Sequence, residues 1–326
     1  MRVSKYGTRL GRGEVDVDLT ARIGSVTLPN PIMTASGTSG HGAELSAYFD
    51  LSTLGAVVVK SLSADPWAGN AAPRVHETAA GMLNSVGLQG PGVEAWLEEE
   101  LPALVAAGAR VVVSIWGRTV DDYAKAAAML AEAPPAVVAV EVNISCPNLE
   151  DRQRMFAHSV GATEEAMAAT AGCRRPRWAK LSPNVIDLVE IAQAARRGGA
   201  EAVTLINTVM GMAIDPETRT YRLGAGAGGL SGPAIHPVAV RAIHDVAAAL
   251  PDLPIVGVGG VASGADAVEL VMAGAAAVQV GTATFADPRA PAEALAGLEA
   301  WMRHHGVTAL DQIVGAVHRC HGGLSP

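Results

Sequence analysis

The sequence contains few cysteines, and their spacing excludes two classes of protein. Only Cys146, Cys173 and Cys320 occur, which is an odd number with no CxxC pair. Disulfide-stapled secreted domains carry an even number of several cysteines, and structural zinc sites use CxxC pairs. No HExxH motif occurs either, so no metal site is predicted. We therefore expect a reduced chain in the cytoplasm.

The chain also lacks basic blocks, long apolar runs and a dinucleotide fingerprint. Its net charge is -8 and its basic clusters do not exceed pairs such as Arg174–Arg175, so nucleic acid is not expected as a partner. The beginning of the chain, MRVSKYGTRLGRGEVDVDL, is charged throughout and predicts neither a signal peptide nor a membrane anchor. No GxGxxG follows the first predicted strand, so a Rossmann nicotinamide site is not indicated.

What the sequence does contain is a regular alternation of short apolar segments and amphipathic segments over 326 residues. The predicted strands are Ile32–Ala35, Ala56–Lys60, Arg110–Ile115, Val137–Asn143, Arg177–Leu181, Ala202–Ile206, Pro254–Val258 and Ala277–Val280. The predicted helices are Val93–Ala107, Thr119–Ala131, Glu164–Ala171, Val185–Arg197, Pro237–Ala249, Gly264–Ala273 and Pro291–His304. This rhythm predicts an α/β fold, a (β/α)8 TIM barrel forming one domain over residues 1–326. A doubly wound sheet is the alternative.

Three segments fall outside this rhythm. Residues 1–30 read as a lead-in, with a short hairpin between Val15–Leu19 and Ser25–Leu28. The connections Ser61–Gly92 and Met210–Gly232 are too long for plain loops. Each follows a predicted barrel strand, so we expect both to form walls or a lid on the catalytic face.

The stretch Val137–Leu149, VVAVEVNISCPNL, carries the strongest signal for a site. An apolar strand turns polar at its carboxyl end, which is where barrel active sites lie. Cys146 at this strand end suits an acid/base or a nucleophile, although a buried structural cysteine is an equally common outcome. The neighbouring amides Asn143 and Asn148 favour a ligand with amide or carboxylate edges.

Glycines at the ends of the last two predicted strands predict a phosphate site. Gly259 and Gly260 end the seventh strand, and Gly281 and Thr282 end the eighth. Glycine lets backbone amides approach an anion closely, and the helix Gly264–Ala273 is expected to direct its N-terminus at that anion. Gly232 could add another amide. The alternative is that these glycines only form tight turns.

Two lysines and several amides are predicted at the same edge. Lys60 and Lys180 each end an apolar strand, where a lysine needs a partner. A bound anion is one such partner, and an ion pair with a distant carboxylate such as Glu141 is the alternative. The loop Asn84–Gly92 and Asn207 supply further amides, which together suit a flat amide ring bearing a carboxylate.

These residues resemble the dihydroorotate dehydrogenase family, in its soluble class 1 branch and closest to the class 1B catalytic subunit. The matching stretches are NPIMTASGTSGHG (30–42), VVVKS (57–61), GNAAPRVHETAAGMLNSVGLQGPG (69–92), EVNISCPN (141–148), KLSPN (180–184), TLINTVMGMAID (204–215), GGLSGPAI (228–235) and GVGGVASGADAVELVMAGAAAVQVGTA (257–283). The resemblance implies an FMN across the barrel mouth and oxidation of (S)-dihydroorotate to orotate in de novo pyrimidine (UMP) biosynthesis. It also implies a homodimer and, in class 1B, an iron–sulfur/FAD electron-transfer subunit as partner. The electron acceptor stays open between fumarate, NAD through such a partner and another compound.

The resemblance assigns roles residue by residue. Cys146 falls on the family's base, which takes the proton from C5 while the C6 hydride goes to FMN N5. The implied FMN contacts are Ser36, Lys60, Ser61, Asn143, Lys180, Gly232, Gly259, Gly260, Gly281 and Thr282. The implied substrate contacts are Lys60, Asn84, Ser85, Val86, Gly87, Leu88, Asn143, Asn207 and Thr208.

The chain departs from the family pattern at three places. Ser114 and Gly90 stand where asparagine is usual, and Leu149–Ser159 replaces a segment that is commonly glycine-rich. These departures leave two alternatives open. One is an FMN enzyme acting on another dihydropyrimidine or an enone. The other is a flavin subunit that is active only within a complex.

Overall fold

Eight short parallel strands form one closed barrel. In the computed structural model, residues 16–145 and 156–320 are described. The barrel strands are β1 (Ile32–Thr34), β2 (Val57–Val58), β3 (Val111–Ile115), β4 (Val137–Asn143), β5 (Arg177–Lys180), β6 (Ala202–Leu205), β7 (Ile255–Val258) and β8 (Ala277–Val280). Their order in the sheet is β1-β8-β7-β6-β5-β4-β3-β2, and a bridge between Met33 and Ala56 closes the circle. The barrel prediction is confirmed, and the doubly wound alternative is wrong because the sheet closes.

The strands form where the sequence is continuously apolar, since both faces of each strand are covered. Every residue of β7 and β8 is buried, which is the pattern of parallel strands between a packed interior and a layer of helices. The predictions for β4 and β8 match residue for residue. Strand β2 is shorter than predicted because the amide of Lys60 donates to the carbonyl of Gly40 at 3.0 Å instead of joining the sheet.

Helices cover the outside of the barrel. The α-helices are Val93–Ala95, Leu101–Ala106, Val120–Met129, Val160–Ala169, Leu188–Arg197, His236–Ala249, Gly264–Ala273, Ala283–Ala286, Ala290–His305 and Ala316–Cys320. Short 3-10 turns are Glu44–Ala47, Leu51–Thr53, Phe156–His158, Thr170–Cys173, Pro233–Ile235 and Leu310–Gln312. A π-helical segment, Trp96–Glu100, joins the first two helices. Asp187 and Ser263 cap their helices with side-chain oxygens, as the sequence predicts.

The lead-in contains a hairpin, but its first strand is not the predicted one. Ala21–Ile23 pairs with Val26–Leu28 through the left-handed Gly24, whose φ is 59°. The predicted strand Val15–Leu19 is wrong where it is described, since Asp18 instead bridges Ala309 near the other end of the chain. The tight turn at Gly24 forms because glycine adopts this left-handed conformation without strain, and it pairs the two strands that flank it directly.

The two long connections fold into one additional sheet. Val75–Thr78 and Gly81–Asn84 lie in the connection after β2, and Val209–Met212 and Ala227–Ser231 lie in the connection after β6. These four strands form a single antiparallel sheet in which Gly81–Asn84 pairs with Ala227–Ser231. A second small hairpin joins Ile214–Asp215 to Thr220–Tyr221. The predicted walls on the catalytic face are therefore one hydrogen-bonded unit.

Candidate active site

A cavity of about 690 Å³ lies at the carboxyl ends of the barrel strands. It collects the residues that the sequence singled out on seven of the eight strand ends and both long connections. The predicted residues that line it are Ser36, Lys60, Ser61, Asn84, Ser85, Val86, Gly87, Leu88, Asn143, Lys180, Asn207, Thr208, Gly232, Gly259, Gly260, Gly281 and Thr282. Cys146 and Asn148 lie outside the described residues. The structure brings these described residues together around one cavity, while their roles stay predictions.

The charge lining this cavity has one sign. Lys60, Arg118 and Lys180 line it, and no aspartate or glutamate is among the described lining residues. The whole chain has a net charge of -8. A cationic cleft in an acidic protein concentrates anions, because low-dielectric walls focus the field of the charged groups. The cavity is therefore suited to ligands that carry phosphate or carboxylate groups.

Lys180 is anchored at the barrel interior by a buried polar network. Its Nζ lies 3.3 Å from Glu141 Oε1 and 3.2 Å from Gln279 Oε1. The other oxygen of Glu141 accepts from Thr204 Oγ1 at 3.0 Å and from Gln279 Nε2 at 2.6 Å. The ion pair that the sequence raised as an alternative for Lys180 is confirmed. Lys180 nevertheless lines the cavity, so the pair does not remove it from the site.

Asn143 is held in one orientation by partners on both ends of its amide. Its Oδ1 accepts from the Ser145 amide at 3.2 Å and from Asn207 Nδ2 at 3.4 Å. Its Nδ2 donates to Ser61 Oγ at 3.3 Å. The hydroxyl of Ser61 in turn lies 2.8 Å from Ser114 Oγ and 3.2 Å from Ser36 Oγ. A chain of hydroxyl and amide groups therefore crosses the floor of the cavity.

The predicted substrate loop is shaped by two consecutive left-handed residues. Gly87 has φ 73°, and Leu88, which has a side chain, has φ 64°. Backbone strain of this kind persists only where the surroundings enforce it. Here Asn70 holds the loop in this conformation. Its backbone N–H donates to Val86 O at 3.1 Å, and its side-chain Nδ2 donates to Ser85 O at 3.0 Å. The loop is thus pre-formed at the wall of the cavity.

The glycines at the ends of β7 and β8 bring backbone close together. A Cβ on Gly260 would lie 2.9 Å from Gly232 O, and one on Gly281 would lie 3.2 Å from Ala35 Cβ. A side chain would be crowded at both positions, so the close packing at this edge of the cavity favours glycine. The expected role of the helix Gly264–Ala273 is wrong. Its N-terminus is capped by Ser263 and Asp266, and the lining after β7 ends at Gly260.

Two titratable groups near the barrel have pKa values displaced by burial. Burial raises the pKa of the Cys173 thiol, which is fully buried and contacts Arg175 O at 3.6 Å, so this cysteine is not a nucleophile. Burial, followed by the nearby charge of Lys60, lowers the pKa of His41. Its Nε2 is buried without a hydrogen-bond partner, and neutral imidazole is the form that fits there.

Several lining residues were not found from the sequence. Trp67 and Trp116 pack edge to face with centroids 5.9 Å apart, and the Arg118 guanidinium lies 4.4 Å from the Trp67 ring centroid. Trp116 and Arg118 follow β3 directly, so the strand-end rule could have found them. Thr204 and Gln279 were also missed, and their signal was a polar residue within an otherwise apolar strand.

Among the described residues, no helix is both long and apolar enough to cross a membrane. In the same part of the chain, no group of three or more His, Cys, Asp or Glu side chains is placed to hold a metal ion.

Comparison with known proteins gives one consistent family. The dihydroorotate dehydrogenase family profile matches residues 18–302. The catalytic subunit of dihydroorotate dehydrogenase B (NAD(+)) from Alkaliphilus oremlandii is 47% identical over 299 residues, which is 91% of this chain and 98% of that protein. The subunit of the same name from Trichlorobacter lovleyi is 46% identical over 92% of this chain and 98% of its own. That from Desulforudis audaxviator is 47% identical over 94% of this chain and 99% of its own. The chain therefore belongs to the dihydroorotate dehydrogenase family, whose members are flavin-dependent oxidoreductases.

Proposed function

We propose that this chain oxidises (S)-dihydroorotate to orotate with FMN as its cofactor, as a step of de novo pyrimidine (UMP) biosynthesis. The observation that carries the proposal is the cavity at the strand ends, which three cations and no described carboxylate line. Both ligands are anions, one through its phosphate and the other through its carboxylate. The relatives reported above carry this activity in their names.

The residues of the cavity fit FMN. Its volume of about 690 Å³ is within the range of cofactor sites, roughly 300–1,000 Å³. Gly260 and Gly281 both line the cavity, and without side chains their backbone amides can approach a phosphate closely. We assign the flavin to Ser36, Lys60, Ser61, Asn143, Lys180, Gly232, Gly259, Gly260, Gly281 and Thr282. When bound, FMN supplies the acceptor for the hydride that leaves C6 of dihydroorotate.

The substrate is assigned to the same cavity, where it shares Lys60 and Asn143 with the flavin. Dihydroorotate is a cyclic diamide with a carboxylate, and Asn84, Asn143 and Asn207 present amides that can pair with its ring. Lys60 supplies a cation for the carboxylate, and the remaining assigned contacts are Ser85, Val86, Gly87, Leu88 and Thr208. Because Asn143 is fixed by Ser145, Asn207 and Ser61, the ring edge is read by an amide of defined orientation.

Cys146 is the base of the proposed reaction, although it lies outside the described residues. It follows Asn143, the last residue of β4, by three positions in the sequence. As a thiolate it would take the proton from C5. A free thiol has a pKa of about 8.5, so the fraction of active enzyme should rise with pH unless nearby cations lower that value.

The electron acceptor is NAD(+), reached through a second subunit with iron–sulfur and FAD centres. The relatives are named as catalytic subunits of NAD(+)-dependent enzymes, which supports a separate partner for electron transfer. A cytoplasmic location agrees with the low cysteine content, three residues with no CxxC pair.

A homodimer is proposed as the working form of the catalytic chain. Exposed apolar side chains cluster on the strands and hairpin inserted after β6, namely Met210, Met212, Ile214 and Tyr221, each more than half exposed. Exposed apolar side chains of this kind are typical of an interface between protein chains.

An anaerobic visible spectrum of the purified chain, before and after dihydroorotate is added, tests the proposed function. We expect flavin absorption that bleaches with dihydroorotate. Flavin bands that stay oxidised would refute the substrate and favour another dihydropyrimidine or an enone, for which Ser114 and Gly90 are the motivating departures. Bleaching that needs the partner subunit would favour a chain active only in a complex. A protein that takes up no FMN would refute the whole proposal.

A further inference from the structure

The ion pair at the floor of the cavity is more than a support for Lys180. Glu141 is fully buried and Lys180 is 5% exposed. Glu141, Lys180, Thr204 and Gln279 come from β4, β5, β6 and β8, yet their side chains meet at one point inside the barrel. Side chains from three other strands thus converge on the carboxylate from β4, and such a buried charge is costly unless it is used or fully paired.

The two carboxylate oxygens of Glu141 have different partners. One oxygen faces the lysine ammonium, while the other accepts from a hydroxyl and an amide. Gln279 contacts both members of the pair, since its Oε1 faces Lys180 and its Nε2 faces Glu141. The ammonium is therefore held in place and also partly neutralised from the side away from the ligand.

The charge in this pair acts on whatever binds against Lys180. Reduction of a flavin by two electrons and one proton leaves one negative charge on the ring. A lysine beside the ring would stabilise that charge, and a carboxylate behind the lysine would oppose the effect. Both charges reach the ring because the interior screens them poorly, and the nearer charge acts more strongly. The net field at the cavity is the difference between the two.

We propose that Glu141 is a positioning residue that fixes Lys180 at the cavity floor and sets the reduction potential of bound FMN by offsetting part of the lysine charge. This inference rests on the proposed function for the identity of the cofactor. It assigns a role to a residue that does not itself reach the cavity, since Glu141 is not among the lining residues.

The test is the midpoint potential of FMN bound to the purified chain, measured for wild type and Glu141→Gln. The substitution keeps the shape of the side chain and removes its charge. We expect the potential of the variant to be more positive, with at least a tenfold larger equilibrium constant for reduction, which is about 30 mV for a two-electron couple. Thr204→Val is the matched control, since it removes one hydrogen bond to Glu141 and leaves both charges. Its equilibrium constant should stay within about twofold of wild type.

A Glu141→Gln protein that binds FMN with an unchanged or more negative potential would overturn the inference. A shift of equal size in Thr204→Val would also overturn it, because the effect would then be structural. Should Glu141→Gln not fold, Glu141→Asp carries the test, since it withdraws the carboxylate from Lys180 and should raise the potential by a smaller amount. A wild-type chain that binds no FMN would instead refute the proposed function.

Discussion

Substitution of Gly260 by alanine tests whether the ends of β7 and β8 form an anion cradle. Gly260 has φ 70°, a conformation that costs an alanine about 1 kcal/mol. The new Cβ would also lie 2.7 Å from His236 Cβ and 2.9 Å from Gly232 O. Relief of such overpacking costs about 1–3 kcal/mol, so we expect the free energy of unfolding of the FMN-free chain to fall by about 2–4 kcal/mol.

Gly306 provides a matched control for the backbone part of this cost. It ends the helix Ala290–His305 with φ 68°, and a Cβ built on it has no neighbour within 4 Å. Gly306→Ala should therefore cost about 1 kcal/mol of stability and leave FMN affinity unchanged. The difference between the two variants isolates the crowding at the cavity from the strain of the left-handed residue.

The assay combines urea unfolding of the FMN-free proteins with fluorescence titration of FMN. Because backbone must move to accommodate the new methyl group, we expect Gly260→Ala to weaken FMN binding at least tenfold, about 1.4 kcal/mol. Equal stability losses in the two variants, together with FMN affinities within about twofold of wild type, would refute a phosphate cradle at this position.

Three further predictions concern single groups. Lys180→Met leaves Glu141 buried without its cation and should lower the free energy of unfolding by about 3–5 kcal/mol, and addition of Glu141→Gln should restore most of that loss in the same urea assay. Burial lowers the pKa of His41 below its ordinary 6.5, so the unfolded chain binds the proton more readily. The contribution of neutral His41 to the free energy of unfolding should therefore be fully present above pH 6.5 and be lost as the pH falls below that value. Thermal midpoints measured at several pH values should depend less on pH in His41→Gln than in wild type. Cys146→Ala should retain the flavin spectrum while the rate of bleaching by dihydroorotate falls by about 10²–10⁴-fold in anaerobic stopped flow, and an unchanged rate would exclude this thiol as the base.

The barrel could be predicted from the sequence because its strands are read by a single rule. Each is a short, mostly apolar run with covered faces, so β4 and β8 were placed to the residue. The bounds failed where another part of the chain supplied a hydrogen bond. Lys60 leaves the sheet for Gly40, and Asp18 pairs with Ala309, hundreds of residues away. Neither partner is visible in a local pattern.

The sequence predicted which residues line the site, but it did not predict which of them bond to one another. Polar residues at strand ends identified the lining, since parallel strands bring their carboxyl ends to one edge. The partner of Lys180 remained open between an anion and Glu141, because the choice depends on side-chain direction across the barrel. Thr204 and Gln279 were overlooked for the same reason. The π-helical segment Trp96–Glu100 was also missed, because it continues the helical pattern without a separate signal.

The shared sheet that walls the cavity constrains how such proteins can diversify. Its central pairing joins Gly81–Asn84 to Ala227–Ser231, and Asn84 Nδ2 reaches Gly229 O across 145 positions of the chain at 3.3 Å. A register change in one segment would displace ligand-facing groups in the other. Grafting either insertion alone from a relative should therefore break the wall, whereas exchange of both together preserves it. The two segments form one structural module, so new substrate preferences should require paired changes in them.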